Sequence, residues 1–353
     1  MADVTIKSQL EGLAKEVYAD KPENLIPDHA KLVKEIPFRE SEMLGNSFNL
    51  PVVVSDENGV TYAGSEDDAF DLQSPEAMQT KNAQVKGSQI VMRCAIGYKA
   101  AAAIASKGPK AFLNSTEFVV KRLMEQAGKR LEVAVLYGQS GLGSVTSKTN
   151  VDATHENLTF SAASWSPGIW IGSKNAKLEA RTTGGAAIGT DLNKYTVVSV
   201  DVPARTVQVS GTSTDISDID AASTPFNMFY FGAFGKEMLG LDKIITTSGT
   251  LFGIDNTVFD LWKGRTFSAS SAALSFDKLS KAIVEAVNFG LDEDTSCLVS
   301  PTTWQNLNQN EAALRNYYYS YKSSNGEKGN EALVYHSQNG RIKIVSHSMV
   351  KEG

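Results

Sequence analysis

The stretch FDKLSKAIVEAVNFGLDEDTSCLVSPTTWQNL, residues 276–307, decides the fold class that the sequence predicts. Its first half predicts a helix, because Ser275 is a candidate N-cap and apolar residues then recur at helical spacing. These apolar residues are Phe276, Leu279, Ile283 and Val287. Residues 295–300 predict a short buried strand, and Ser300-Pro301, an N-cap followed by proline, predicts the start of a second helix. A strand between two helices indicates a mixed α+β fold.

STEFVVKRLMEQAGKRLEVAVLY, residues 115–137, predicts the longest helix of the chain. Ser115 or Thr116 can cap its start, and Gly138 can end it. Apolar residues form a stripe along this helix, a pattern typical of a helix that packs on one face. The stripe consists of Val120, Leu123, Ala127, Leu131, Ala134 and Val135. At its standard rise such a helix is on the order of 33 Å long, enough to be the backbone of a flat subunit.

Residues 150–250 differ in composition from both of these regions. Threonine, serine, glycine and valine become more frequent, and KYTVVSVDVPARTVQVSGT alternates between apolar and polar residues. This alternation predicts two strands joined around Pro203-Ala204. Two tryptophans, Trp165 and Trp170, lie earlier in the same region. We therefore predict a β-rich module inserted into the chain.

The segment NLPVVVSDENGVTYAG, residues 49–64, predicts a β-hairpin. Its β-branched residues run up to Asn58-Gly59, the dipeptide that best fits a type I′ turn, and residues 60–62 run back. A long polar stretch then extends to Ile90. Such a stretch between two β segments is costly inside a compact domain, so we expect an extended loop that pairs with a neighbour.

The N-terminal residues 1–44 predict an arm that lies on another surface. A short amphipathic stretch is followed by Pro22, Pro27 and Pro37, which break any continuing helix. With few large apolar residues this segment cannot form its own core. MADVTIKSQL has no basic head followed by an apolar stretch, so we expect no signal peptide.

The composition excludes several classes of protein. The chain has 353 residues and no run near the roughly 20 apolar residues of a membrane-spanning helix. Its net charge of −6 argues against a protein that coats nucleic acid, which needs a basic face. Cys94 and Cys297 have no metal-ligand spacing, so we interpret them as free, mostly buried thiols.

The glycine run 138–143 suggests three kinds of catalytic loop, and none of them fits. Ser144 stands where a phosphate-binding loop needs lysine, and Leu142 occupies the last glycine of a G-x-S-x-G nucleophile elbow. A dinucleotide fingerprint fails on spacing. The run also follows a predicted helix, whereas the elbow and the phosphate loop follow a strand. We interpret it as a helix stop and a turn.

The titratable residues offer no catalytic or metal site. The histidines are His29, His155, His336 and His347. None has a partner at metal-ligand spacing, and each lies in a polar or strand-edge setting, so surface or hydrogen-bonded histidines are expected. The carboxylates at Asp67-Asp68 and 292–294 lack apolar neighbours that could raise a pKa, and therefore indicate solvated loops.

Three stretches together resemble the major capsid proteins of tailed bacteriophages. LEVAVLYGQSGLGSV (131–145) resembles the end of that family's long spine helix and the glycine-rich turn after it. Residues 276–307 resemble the helix–strand–proline–helix unit of its axial domain, with Trp304 three residues after the proline. RIKIVSHSMVKEG (341–353) resembles the strand that leaves that domain.

The resemblance implies an α+β fold of the Hong-Kong-97 type, with an N-terminal arm, an extended β-hairpin loop, a long spine helix, an axial domain and here a β-rich insertion domain. The corresponding ranges are 1–44 for the arm, 45–100 for the extended loop, 101–140 for the peripheral domain with the spine helix, 150–250 for the insertion domain, and 251–353 for the axial domain and the start of the return to the peripheral domain.

The resemblance also implies a structural role and no enzymatic activity, cofactor or metal. Such proteins self-assemble into hexamers and pentamers of an icosahedral shell around double-stranded DNA, which they enclose without sequence-specific binding. The implied partners are scaffolding and portal proteins, with room for a decoration protein and no membrane. The protein would be made in the host cytoplasm and reside in the virion capsid.

Two sets of residues are candidates for contacts between subunits. The acidic set comprises Glu66, Asp67, Asp68 and Asp71. This set can contact a basic patch on a neighbouring subunit. An acidic loop tip that only increases solubility is an equally good explanation. The aromatic set comprises Tyr317, Tyr318, Tyr319 and Tyr321. Its spacing is neither helical nor alternating, so an interface, where tyrosine is favoured, and a locally packed loop remain alternatives.

Three other functions remain open at this point. An encapsulin-type nanocompartment shell would have the same fold. A surface or tail binding module built around residues 150–250 is a second alternative, although such a module would not need the helical units on either side. A hydrolase or NTPase would depend on the loop around Ser140 alone.

Overall fold

The computed structural model describes residues 31–36, 47–66, 69, 71–95, 115–270, 272–309, 333–338 and 340–353. Within these residues the chain is a mixed α+β protein. The helices are α1 Leu32–Glu35, α2 Ser115–Tyr137, α3 Pro167–Trp170, α4 Ser213–Ala221, α5 Leu241–Ile244, α6 Phe276–Asn288 and α7 Pro301–Gln309. The strands are β1 Phe48–Ser55, β2 Gln79–Val85, β3 Gly143–Asp152, β4 His155–Phe160, β5 Lys177–Thr182, β6 Tyr195–Asp201, β7 Thr206–Ser210, β8 Phe226–Tyr230, β9 Thr250–Leu251, β10 Ile254–Asp255, β11 Thr295–Val299, β12 Leu333–Ser337 and β13 Gly340–Ser346.

The long helix α2 has the bounds that the sequence predicts, but its buried face is different. Of the predicted apolar stripe only Ala134 is fully buried, and Val120 is exposed. The buried residues of this helix are two charged and three apolar ones, namely Lys129, Glu132, Val133, Ala134 and Leu136. The stripe prediction is wrong because it assumed that charged side chains face solvent, whereas here backbone groups and a histidine of other segments satisfy them.

The β-rich region is a closed barrel of six antiparallel strands in the order β3-β4-β7-β6-β5-β8. The two strands predicted around Pro203-Ala204 are confirmed as β6 and β7. In their antiparallel pairing Thr196 lies opposite Ser210 at one end, and Asp201 lies opposite Thr206 at the other. The barrel begins at Gly143, earlier than the predicted boundary at residue 150. The reason is that β3 follows α2 directly after the glycine turn.

Large aromatic side chains fill one part of the barrel core. Trp165 and Trp170 stack with their ring centroids 6.0 Å apart, and the Phe160 ring lies 4.8 Å from that of Trp170. Helix α3 holds the second tryptophan, and its Pro167 stands at the first helical position. Such tilted and stacked rings bury large apolar areas, so this cluster is a main source of the barrel's stability.

The C-terminal segment 347–353 completes the same core. The Met349 side chain is fully buried within it. The carbonyl oxygen of Ser348 accepts hydrogen bonds from the Gly168 amide at 3.0 Å and from the Ser166 hydroxyl at 2.8 Å. The strand that the resemblance implies within residues 341–353 is therefore shorter than that range. It ends at Ser346, because the chain must turn there to reach the barrel.

A second core lies between the sheet β11-β13-β12 and helices α6 and α7. Strand β13 pairs in parallel with β11 and antiparallel with β12. The predicted caps are confirmed: the Ser275 hydroxyl accepts from the Lys278 amide at 3.4 Å, and the Ser300 hydroxyl accepts from the Thr303 amide at 3.1 Å. This unit has the helix–strand–helix order that the sequence predicts.

We expect Met349→Ala to destabilise the barrel although residue 349 lies more than a hundred residues beyond the last barrel strand. Removing a fully buried methionine side chain typically costs about 2–5 kcal/mol. The measurement is thermal unfolding followed by the near-UV signal of the two stacked tryptophans. Val334→Ala, at a half-exposed site in β12 of the second core's sheet, is the control. Equal melting temperatures for wild type and Met349→Ala would contradict a shared core.

Candidate functional site

Strands β1 and β2 form a two-stranded antiparallel sheet that runs from the pair Phe48–Val85 to the pair Ser55–Gln79. The predicted tight turn at Asn58-Gly59 is wrong, because residues 60–62 form no strand. Asn58 instead forms an isolated bridge with Glu76, with both backbone hydrogen bonds at 3.0 Å. Residues 56–78 thus form a long connection, since β1 finds its partner beyond them.

This hairpin and its connection expose many large apolar side chains. Leu50 is 47% exposed in the middle of β1, and Tyr62 is 92% exposed in the connection. The other exposed apolar residues here are Phe48, Val53, Val60, Leu72, Met78 and Val85, and Ile90 and Val91 are exposed just after β2. Isolated exposed apolar residues are normal on a protein surface, but a concentration along one element marks an interaction site.

The hairpin is attached to the rest of the chain near one position of β2. The Ala83 side chain is buried, and the Gln84 amide donates a hydrogen bond to the Phe252 carbonyl at 2.8 Å in the turn between β9 and β10. Val54 is also buried, at a bulge in β1. Both faces of the remaining hairpin are largely exposed. A two-stranded hairpin of this kind is at best marginally stable alone.

The connection between β1 and β2 carries a strong negative charge. Between Asp56 and Thr80 the sequence has seven acidic residues and neither lysine nor arginine. With these seven removed, the rest of the chain has 34 basic and 33 acidic residues, so it is nearly neutral. The net negative charge of the protein therefore resides in this one segment.

Two of the eight predicted contact residues lie in the described part of the chain. Glu66 and Asp71 are exposed on the acidic connection. Asp67 and Asp68 lie outside the described residues. The four tyrosines of the aromatic set, Tyr317, Tyr318, Tyr319 and Tyr321, also lie outside them. The structure thus brings two acidic candidates onto the exposed hairpin segment.

The remaining titratable candidates that lie in the described residues follow the expected pattern. His336 is exposed, and His155 lies at 2.9 Å from the Asp152 carboxylate on the surface. His347 lies just after β13, buried and hydrogen-bonded to Glu132, as expected for a hydrogen-bonded histidine at a strand edge. Residues 292–294 are exposed as predicted. His29 lies outside the described residues.

The thiols do not follow the prediction of mostly buried cysteines. Cys94 is exposed and Cys297 is partly buried, and both are free. Burial raises the pKa of the Cys297 thiol above its usual value. Cys94 follows β2 in a segment that is exposed along most of its length, which is why it does not enter a core.

Residues 138–143 join helix α2 to strand β3. Gly138 lies against the backbone of Met238 and Gly240, where a side chain would not fit. Gly141 adopts a φ of 85°, which favours glycine. This helix–turn–strand order is the reverse of the strand–turn–helix context that a nucleophile elbow needs. Ser140 therefore has the setting of a structural turn.

Buried ionisable groups close to α2 serve packing. The Lys129 ammonium donates to the Ile171 carbonyl at 2.5 Å, and the Lys351 ammonium donates to the Gly141 carbonyl at 2.9 Å. Burial lowers the pKa of each lysine to about 8. Among the described residues no three His, Cys, Asp or Glu side chains come together as a metal site. Likewise, no helix in the described ranges is both long and apolar enough to span a membrane.

Comparison of the chain with known protein families, with curated proteins and with solved structures found no match.

Sequence reasoning missed the buried carboxylate of Glu132 and its partner His347. The only signal in the sequence is that Glu132 stands between Leu131 and Val133 in a region that is otherwise apolar. Its partner is 215 residues away, so spacing rules could not pair the two.

We expect Ala83→Asp to detach the hairpin from the rest of the chain. The substitution would bury an unpaired charge at the attachment point, which costs several kcal/mol unless the hairpin moves away. Amide hydrogen exchange at Gln84 and in the turn around Phe252 measures this release. Asn82→Asp, the same charge at the adjacent exposed position, should leave the exchange unchanged. Equal protection in both variants would mean that the attachment lies elsewhere.

Proposed function

We propose that this chain is a shell-building subunit, the major capsid protein of a tailed bacteriophage with a Hong-Kong-97-like fold. The observation that carries the proposal is the hairpin β1–β2, which has apolar side chains on exposed faces and, among the described residues, is attached mainly where β2 meets the region around Phe252 and Phe259. A lone chain gains nothing from such an element. Copies of the chain gain from it if the hairpin of one subunit lies on the surface of the next.

The energetic argument concerns apolar area. Each large apolar side chain that passes from water to an interface contributes about 1.5–3 kcal/mol before the entropic cost of association. Leu50, Val53 and Tyr62 are among the exposed residues that could be covered in this way. Repeated over many copies, contacts of this size support a closed shell in which the assembly supplies the stability.

The charge distribution supports the same proposal. The acidic connection 56–78 is one strongly negative segment in a chain that is otherwise nearly neutral. Such asymmetry orients subunits during association and suppresses wrong contacts between two acidic segments. A basic surface on a neighbouring subunit would be the complement of this segment.

The order of the other elements is consistent with this family. The long helix α2 ends in a glycine turn, and the unit α6–β11–α7 precedes the strand β13. In the proposed fold α2 is the spine helix, the second core is the axial domain and the barrel is the insertion domain. An encapsulin-type shell protein would share these elements, so it remains the alternative within this class.

A free-standing binding module is the less favoured alternative because of how the barrel core is built. Val133 and Leu136 of α2 and Met349 of the C-terminal segment are members of that core. A module that functions alone would close its core with its own strands. The barrel therefore depends on the body of the chain.

We expect Leu50→Asp to weaken assembly without unfolding the subunit. A charge on the exposed face of β1 would be buried in the assembled state, so the concentration needed for assembly should rise about tenfold or more. Sedimentation and negative-stain microscopy measure this, with and without a scaffolding protein. Leu192→Asp, at an exposed site in the loop before β6, is the matched control.

Closed shells, hexamers or sheets from wild-type protein, reduced in Leu50→Asp and retained in Leu192→Asp, would support the proposal. A discrete monomer or dimer of the wild type under every condition would overturn it. Equal loss of assembly in both variants would show that the hairpin is not the contact surface.

The charge argument has a test of its own in a variant that neutralises four acidic residues of the connection. The substitutions are Glu57→Gln, Glu66→Gln, Asp71→Asn and Glu76→Gln. If the connection meets a basic surface, assembly of the wild type should weaken as salt rises, and this dependence should be smaller in the variant. An unchanged salt dependence, measured by light scattering, would mean that these carboxylates only increase solubility.

A further inference from the structure

The Glu132 carboxylate is fully buried, and both of its oxygens accept hydrogen bonds from other parts of the chain. One oxygen, Oε1, accepts from the Leu32 amide at 2.7 Å and from His347 Nε2 at 2.7 Å. The other, Oε2, accepts from the Val33 amide at 2.9 Å. One side chain on α2 thus holds both the segment 31–36 and the C-terminal segment.

The tautomer of His347 follows from its second contact. Its Nδ1 accepts a hydrogen bond from the Met349 amide at 3.1 Å, so the proton of the neutral ring is on Nε2 and points to Glu132. The ring therefore donates to a carboxylate that two amides also approach. This arrangement requires a negative charge on Glu132. Three N–H groups donate to its two oxygens, and protonation would place a further donor on one of these oxygens.

The segment 31–36 has few other fixed contacts in the described structure. Leu32 packs partly against the barrel core, and the Lys31 ammonium approaches the Ser346 carbonyl at 3.5 Å. Helix α1 is only four residues long, too short to be stable by itself. The hydrogen bonds to Glu132 are consequently the strongest interactions that hold this segment in place.

We propose that Glu132 is a charge-dependent latch that holds residues 31–36 against α2 and the C-terminal segment, and that loss of its negative charge releases them while the barrel stays folded. The latch sits where the end of β13 leaves the second core for the barrel, since Ser346 ends that strand and His347 begins the crossing. Release would therefore loosen the junction between the two cores. The proposal concerns one chain and does not rest on the proposed function.

Few titratable side chains of the described residues surround the latch. Among the described side chains the titratable groups here are Lys129 of α2, which donates to Ile171, Lys31 of the N-terminal segment, and the neutral His347. Burial acts to raise the pKa of Glu132, but the hydrogen bonds from His347 and from the amides of Val33 and Leu32 outweigh it, so this pKa is lowered from its usual 4.5. The latch is thus closed at neutral pH.

The sign of the pH dependence follows from this lowered pKa. A carboxyl group whose pKa is lower in the folded than in the unfolded state stabilises the folded state at pH values above its unfolded-state pKa. This stabilisation is lost as the pH falls through its folded-state pKa. The segment 31–36 should therefore stay attached at pH values above 4.5 and be released at lower pH. The barrel also holds a buried carboxylate, Asp215, which accepts from three backbone amides. Because its strands are held by a large apolar core, we expect them to keep their protection to a lower pH than the segment 31–36.

The experiment compares amide hydrogen exchange in full-length wild type, Glu132→Gln and Glu156→Gln, in the same state of assembly. Glu156 is the matched control, since it is an equally buried carboxyl group that lies in the barrel and accepts from Asn150 at 3.0 Å. In Glu132→Gln the amides of Leu32 and Val33 should exchange about tenfold faster or more, because bonds to a charged acceptor are lost. Strands β6 and β7 should keep their wild-type rates.

A second measurement follows wild-type exchange from pH 7 to pH 3 with correction for the intrinsic rate. Release of Leu32 and Val33 at a higher pH than the loss of protection in β6 and β7 supports the latch. Unchanged exchange of both amides in Glu132→Gln would overturn it. Loss of protection throughout the chain in Glu132→Gln, or simultaneous loss in the acid series, would also overturn it, because Glu132 would then stabilise the whole fold.

Discussion

The closure of the barrel core by residues from outside the barrel is the constraint on which this structure depends. Val133 and Leu136 enter it from α2, and Met349 enters it from the C-terminal segment. Burial of these side chains removes apolar surface from water, the main favourable term in folding. The barrel can therefore reach its full stability only when distant parts of the chain are in place, and the two cores are joined as a result.

The same constraint explains why charged residues are buried beside α2. A helix that packs against a barrel core cannot expose every polar side chain, so Lys129 and Glu132 must find partners inside. A backbone carbonyl and a histidine with two amides provide them. Buried charges that are paired in this way give specificity to the packing, and they make the junction sensitive to the charge state of one carboxylate.

The hairpin β1–β2 is the opposite case, since almost nothing within the described chain covers it. Strand β1 was predictable from its β-branched residues, whereas its partner was not, because β2 lies within the polar stretch before Ile90 that indicated a loop. The dipeptide Asn58-Gly59 favours a tight turn, but such local preferences amount to about 1 kcal/mol, and the pairing of β1 with β2 outweighs them. The acidic connection, by contrast, was visible from composition alone.

The sequence by itself determined the elements whose signals are local: the bounds of α2, the caps Ser275 and Ser300, the strands β6 and β7, and the acidic character of residues 56–78. Periodicity and capping act within a few residues, so they can be read along the chain. Only the tertiary structure decided that the barrel closes, that Met349 completes its core and that Glu132 meets His347. These contacts join residues up to 215 positions apart, and burial in a shared core, which no local pattern encodes, selects them.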